Sequence, residues 1–208
     1  MAISDDDLAQ LATRTGAIYQ RQAARYDAER ARQLVERAWL ERFTALLPDG
    51  GAVLDLGCGG GEPIARYLID AGLRVTGVDL APAMIELARA RCPAGDWRVA
   101  DLRTLALPER FHGIIGWDSF FHLTAAEQRA TLPRLAAHLR PRGALLLTVG
   151  HQAGEVIGHV GGEPVFHASL APAAYRAALA ALDLDVVAFT LADPTCAGHS
   201  VLLAQARR

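Results

Sequence analysis

Apolar and polar positions follow two rhythms along this chain, and the change comes near residue 50. Upstream the period is helical. Ala9–Tyr26 is rich in Ala, Gln and Arg, and Ala31–Leu47 sets Val35, Trp39, Phe43 and Leu46 at helical spacing, so residues 1–48 read as helices. Pro48-Asp49-Gly50-Gly51 then breaks the chain. Downstream, short apolar runs alternate with helical segments. Strands are expected at 52–56 (AVLDL), 73–80, 97–102, 111–118 and 143–150. Helices are expected over Ile64–Ala71, from near Pro82, and from Thr124 to Leu139. Gly72 suits a helix end, Pro82 a helix start, and Thr124 with Glu127 a capping box.

This alternation builds βαβ units with right-handed crossovers and a parallel sheet. Residues 151–169 interrupt it with Gly and His, and read as a long loop or hairpin. A helix over 173–182 and strands over 185–191 and 199–206 close the chain. The last two strands are joined too closely for a crossover helix, so their pairing is expected to be antiparallel. No internal repeat or low-complexity segment interrupts the pattern.

Composition narrows the picture without changing it. With 208 residues, 51% hydrophobic and 21% charged, the chain suits one α/β domain with a proper core. A formal charge of −2 is no electrostatic footprint for nucleic acid. All 21 basic residues are Arg, which excludes a Walker-type phosphate loop and Schiff-base chemistry, since both need Lys. Cys58, Cys92 and Cys196 form no CxxC pair, so neither a disulfide framework nor a bound metal is expected, and a reducing compartment fits. The start, MAISDDDLAQ, lacks the apolar stretch of a signal peptide, and no apolar run nears the roughly 20 residues of a membrane span. A cytoplasmic protein without membrane contact is the expectation.

The candidate chemistry lies in VLDLGCGGG, residues 53–61, where four of the five positions after Leu56 are Gly. Glycine loses the most backbone freedom on folding, so the cluster needs a cause: a ligand touching the backbone, or a tight turn. In an open parallel sheet, ligands bind beyond the carboxyl ends of the strands. Asp79, ending the second strand, can take a ribose diol there or simply cap the helix that follows. A dinucleotide fingerprint would need Gly or Ala at position 62. Glu62 stands there, and a carboxylate at a helix start repels a pyrophosphate. The pattern acidic-x-G-x-G-x-G, met by Asp55, Gly57, Gly59 and Gly61, instead suits a cationic nucleoside without phosphate.

Here the chain resembles the class I S-adenosylmethionine-dependent methyltransferases. The likeness runs through VLDLGCGGG, VTGVDLAPAMIELAR, WRVADLRTLAL, FHGIIGWDSFFHL and LRPRGALLL, about residues 50–150. It implies a Rossmann-like, seven-stranded, mostly parallel sheet with an antiparallel C-terminal strand and helices on both faces. A single domain over 1–208 follows: an N-terminal helical cap (1–48), a cofactor-binding core (49–150), a substrate-side insert (151–169), and a C-terminal helix and strand pair (170–208). The resemblance implies S-adenosyl-L-methionine as cofactor and S-adenosyl-L-homocysteine as product. It puts Gly57 and Gly59 beside the methionine portion and Asp55 at its amino group. Asp79 takes the ribose hydroxyls, Leu80 and Met84 flank the adenine, and Asp101 and the Leu102 N–H reach its polar edge. Trp117 and Asp118 border the sulfonium. Tyr19 and Tyr26 fall in a YxxxAxxYD-like stretch expected to close over the cofactor.

The acceptor is less defined. Asp118-Ser-Phe-Phe-His122 lacks the (D/N)PPY of many nucleic-acid amine methyltransferases, and with no Asn the chain lacks the ligands of metal-dependent catechol enzymes. That leaves a small organic acceptor methylated at O, N or S, by a monomer or homodimer. His122 is the candidate general base, on the premise of a near-neutral pKa. Phe121, His122, His151, His159 and His167 are candidate acceptor-side residues. Other chemistry on the same cofactor, or a non-catalytic cofactor-binding module, is the alternative.

Overall fold

The computed structural model describes residues 5–207; residues 1–4, with which the stretch read above as no signal peptide begins, and Arg208 lie outside the described residues. A long helix α1 (Asp5–Glu29) and a short α2 (Arg37–Thr44) precede the alternating region. There β1 (Ala52–Leu56), α3 (Ile64–Asp70), β2 (Arg74–Asp79), α4 (Pro82–Arg91) and β3 (Asp96–Val99) follow in turn. They are succeeded by β4 (Phe111–Gly116), α5 (Ala125–His138) and β5 (Leu139–Val149). A hairpin of β6 (Gly154–Val160) and β7 (Glu163–Ser169) leads to α6 (Pro172–Ala180), β8 (Leu184–Asp193) and β9 (His199–Ala206).

Seven strands form one sheet in the order β3-β2-β1-β4-β5-β9-β8. The first five pair in parallel, while β9 runs antiparallel to both β5 and β8. Covering both faces makes the central strands apolar on both sides, and successive residues feed opposite cores. Val53, Ile115, Leu146 and Leu203 pack with α2, α3 and α4. Their neighbours Leu54, Ile114, Leu145 and Leu202 pack with α5 and α6. The Thr124–Glu127 capping box forms in both directions, with the Glu127 side chain accepting from Thr124 N at 2.8 Å. Residues 151–169 form the hairpin, paired from Gly154↔Ser169 to Val160↔Glu163.

Several boundaries differ from the sequence reading, each for a local reason. The helix expected over 31–47 spans only Arg37–Thr44. The preceding residues turn through Val35 N→Gln33 O and Arg37 N→Leu34 O bonds, which leaves Val35 exposed and takes Glu36 inside. The strand expected over 97–102 stops at Val99, because the Asp101 carboxylate accepts from Arg103 N at 2.9 Å and caps a 3-10 turn over Leu102–Thr104. The strand expected over 111–118 stops at Gly116, and Asp118 takes a left-handed φ of 50°. The strand expected at 143–150 begins earlier, at Leu139, where it pairs with Phe111 across a bulge.

Candidate active site

The loop after β1 is a turn and a ligand surface at once. Gly57 N and Cys58 N donate to Val78 O, tying the loop to β2. Gly57 has φ of 66°, and a Cβ there would stand 2.4 Å from Ser119 Cβ, so packing alone demands glycine. Gly59, at φ of 52°, has nothing within 4 Å of its missing Cβ and opens onto the cavity. Cys58 is buried within the loop.

The cavity lies beyond the carboxyl ends of β1–β4 and under α1. All twelve residues that the resemblance gives to the cofactor border it: Tyr19, Tyr26, Asp55, Gly57, Gly59, Asp79, Leu80, Met84, Asp101, Leu102, Trp117 and Asp118. Their placement follows from topology, since each strand end delivers the next residues to one edge. Gly16 lets α1 approach: a Cβ there would meet Leu80 Cδ2 at 2.5 Å.

The electrostatics favour a cation. Asp55 is 4% exposed, and burial, then the Asp79 carboxylate, push its pKa up to about 7; Arg30 pulls the other way, and no hydrogen bond from the described residues offsets the burial. Asp79 accepts from Gly59 N at 3.0 Å and Ala81 N at 2.9 Å. Burial raises its pKa and these backbone donors oppose the rise. A buried carboxyl without a donor suits an incoming positive group. Asp101 is already engaged: Arg103 donates to both its carboxylate oxygens, at 2.7–3.0 Å. Any acceptance from an adenine amine would share that carboxylate.

His122 borders the cavity, but the premise of a near-neutral pKa does not hold. Its Nδ1 lies 3.0 Å from the Phe166 carbonyl and its Nε2 3.0 Å from Tyr19 Oη. The carbonyl fixes the proton on Nδ1, so Nε2 accepts from the Tyr19 hydroxyl. Burial drives the His122 pKa down to about 4, with the Phe166 bond opposing. His122 is thus a neutral ring that holds α1, already occupied at the nitrogen a base would use. Burial also raises both tyrosine hydroxyls, so Tyr19 and Tyr26 stay protonated.

Of the other acceptor-side candidates, Phe121 and His167 stack on each other at 4.6 Å and on His122 at 5.0 and 4.8 Å. They support His122 from behind and do not border the cavity. His151 and His159 are exposed on the hairpin side, away from it. No cluster of metal-ligating side chains occurs among the described residues.

Sequence reasoning missed four charged residues. Asp27, the acid ending YxxxAxxYD, is 7% exposed and pairs with Arg91 of α4 against Gly60. The Arg91 bond holds the Asp27 carboxyl below its ordinary range. Arg30 and His199 both bind Asp118, at 3.3 and 2.9 Å. The position of Asp27 in the motif was a usable signal; Arg30 and His199 carried none, being brought together from residues 30, 118 and 199 only by the fold.

This sheet order, with the glycine loop after β1 and acidic residues at the ends of β1–β3, is a fold found in solved S-adenosylmethionine-dependent methyltransferases: an S-adenosylmethionine-bound amino pentose methyltransferase of Micromonospora echinaspora shares it at TM-score 0.68 and 23% identity, over 89% of this chain and 95% of that one. Residues 53–143 match the family model described as "Methyltransferase domain". Among curated proteins, the chain is 34% identical over 102 residues to a dTDP-3-amino-3,6-dideoxy-alpha-D-glucopyranose N,N-dimethyltransferase of Streptomyces fradiae, covering 48% of this chain and 40% of that one. It is 32% identical over 132 residues to a malonyl-[acyl-carrier protein] O-methyltransferase of Serratia marcescens, covering 62% and 50%. The chain thus spans about half the length, or less, of these relatives. A solved 1,6-didemethyltoxoflavin-N1-methyltransferase of Burkholderia thailandensis shares the fold at TM-score 0.72 and 20% identity, over 100% of this chain and 92% of that one.

Proposed function

We propose that this protein transfers the methyl group of S-adenosylmethionine to a small organic acceptor. The observation that carries the reading is Asp55: a buried carboxyl with no donor among the described residues, beside Asp79 and an open Gly59, suits a cationic nucleoside and repels a phosphate. The methionine amino group would sit at Asp55 and the ribose diol at Asp79. Leu80 and Met84 would flank the adenine, whose polar edge meets Asp101 and the Leu102 N–H. Trp117 and Asp118 would face the sulfonium, with Tyr19 and Tyr26 excluding water from above.

The cofactor supplies an activated methyl group, open to in-line displacement. The protein's part is then orientation and exclusion of water rather than proton transfer. The Tyr19–His122–Phe166 chain serves orientation: it links α1 to the hairpin beside the reacting end. The relatives act, by name, on a dTDP-linked amino sugar and on malonyl-[acyl-carrier protein]. An acceptor of small-molecule size, with the division into cap, core, insert and C-terminal pair given above, is part of the proposal. Incubation with methyl-labelled cofactor and a panel of small amines, phenols and carboxylic acids tests it. Labelled product together with S-adenosylhomocysteine is expected. Cofactor consumption without a methylated product would point to other chemistry.

A further inference from the structure

At the β4 end of the cavity, Asp118 belongs to a charged cluster whose other members, Arg30, His199 and Glu36, have no part in the cofactor roles just described. Asp118 accepts from Arg30 at 3.3 Å and from His199 Nε2 at 2.9 Å. His199 Nδ1 lies 2.8 Å from the Cys196 carbonyl. Both ring nitrogens face acceptors, and only the doubly protonated ring donates to both. Glu36, 1% exposed, lies 3.6 Å from the Arg30 guanidinium, and its Oε1 has no hydrogen-bond partner. Arg30 and Asp118 border the cavity; Glu36 and His199 stand behind them.

Strand order places the cluster. Asp79 ends β2 and Asp101 lies just past β3, so a nucleoside held by them extends its other end over β1 and β4, where Asp118 follows. On the cofactor reading above, on which this inference rests, that is the sulfonium end. Cofactor and product differ there by one positive charge.

We propose that His199, as an imidazolium, sets how strongly the site prefers the sulfonium cofactor over its neutral product. Asp118 alone would hold the sulfonium more tightly than the thioether. Arg30 and His199 cancel that pull, with Glu36 balancing Arg30 from behind, so spent product competes on more even terms while His199 is charged. Loss of the His199 proton leaves one net negative charge facing the sulfonium, and the preference for cofactor rises. The Asp118 bond, with burial opposing, raises the His199 pKa, so the charged form persists above the ordinary histidine range. The other groups facing it are Arg30, Glu36, Asp118 and the Cys196 thiol, which burial pushes up to about 11. Asp55, across the cavity, titrates near 7 on its own account, so wild type must be compared with a variant.

The test is calorimetric binding of S-adenosylmethionine and S-adenosylhomocysteine to wild type, His199→Gln and Asp118→Asn. Glutamine keeps a donor toward Asp118 without the charge. At about pH 6, the ratio of product Kd to cofactor Kd should rise several-fold, up to about tenfold, in His199→Gln, the order expected of one unit charge at a protein surface. By about pH 9 the two proteins should converge, which a merely structural histidine would not produce. Asp118→Asn should lower the ratio, and carries the test if His199→Gln does not fold. Equal ratios in wild type and His199→Gln at about pH 6, a gap unchanged with pH, or an unaltered ratio in Asp118→Asn would each overturn the proposal. Failure of wild type to bind either ligand would overturn the cofactor reading instead.

Discussion

Asp79 and His122 show how much a residue's neighbours decide. Asp79 accepts from two backbone N–H groups, Gly59 in the loop after β1 and Ala81 in its own loop, and also faces the cavity. Two charge-assisted bonds to a diol are worth about 1.5–3 kcal/mol each, so Asp79→Ala should weaken cofactor binding at least about tenfold by calorimetry. His122 is governed by its burial. Its folded pKa of about 4 lies below an unfolded value near 6.5, so its stabilising neutral form is complete above about pH 6.5. That contribution is lost as pH falls toward 4 and amounts to about 3 kcal/mol. Thermal melts should therefore drop through this window, and His122→Asn should flatten the drop; equal slopes would refute the assignment. The sequence could name His122 but not its state, because the Phe166 carbonyl and Tyr19 hydroxyl that fix it come from distant residues. Asp55, Asp79 and Gly59 were legible because strand ends and glycine spacing place them locally.

At the scale of elements, α1 is a strap anchored on both sides of the cavity. Toward the hairpin, Arg21 and Gln22 donate to Glu163 at 2.5 and 2.8 Å, and Arg25 donates to Gly161 O at 3.0 Å. Toward α4, Gln20 accepts from Ala83 N at 2.9 Å, and Asp27 pairs with Arg91. The Arg21–Glu163 pair is largely exposed, and such pairs contribute little to stability. Glu163→Ala should thus leave the melting temperature nearly unchanged yet speed cofactor dissociation a few-fold in stopped flow. Hydrogen exchange over residues 10–30 should slow when S-adenosylhomocysteine is added; identical exchange would show that α1 is no lid. The existence of α1 was plain from its composition. Its seat was not, because it packs against the β6–β7 hairpin, whose Gly- and His-rich sequence carries no clear strand period.

Across the whole molecule, the apolar rhythm foretold the sheet well because the strands are buried on both faces. The antiparallel end followed from a connection too short for a helix. The same burial makes the scaffold sensitive: Leu54, fully buried between β1 and the α5–α6 layer, should cost about 2–5 kcal/mol on truncation to Ala, read by denaturant unfolding. The edges of elements were illegible wherever a side chain, such as Asp101, ended a strand by capping a turn. What the scaffold achieves is a gathering of acid at one edge: Asp55, Asp79, Asp101 and Asp118 converge on one cavity from the ends of four strands. The central claim is that this cavity takes a cationic nucleoside without phosphate. Isothermal calorimetry of the wild-type protein near neutral pH with S-adenosylmethionine, and separately with NAD, tests it most directly. Micromolar binding of S-adenosylmethionine and no detectable NAD binding is the predicted result; tighter binding of NAD would contradict the account.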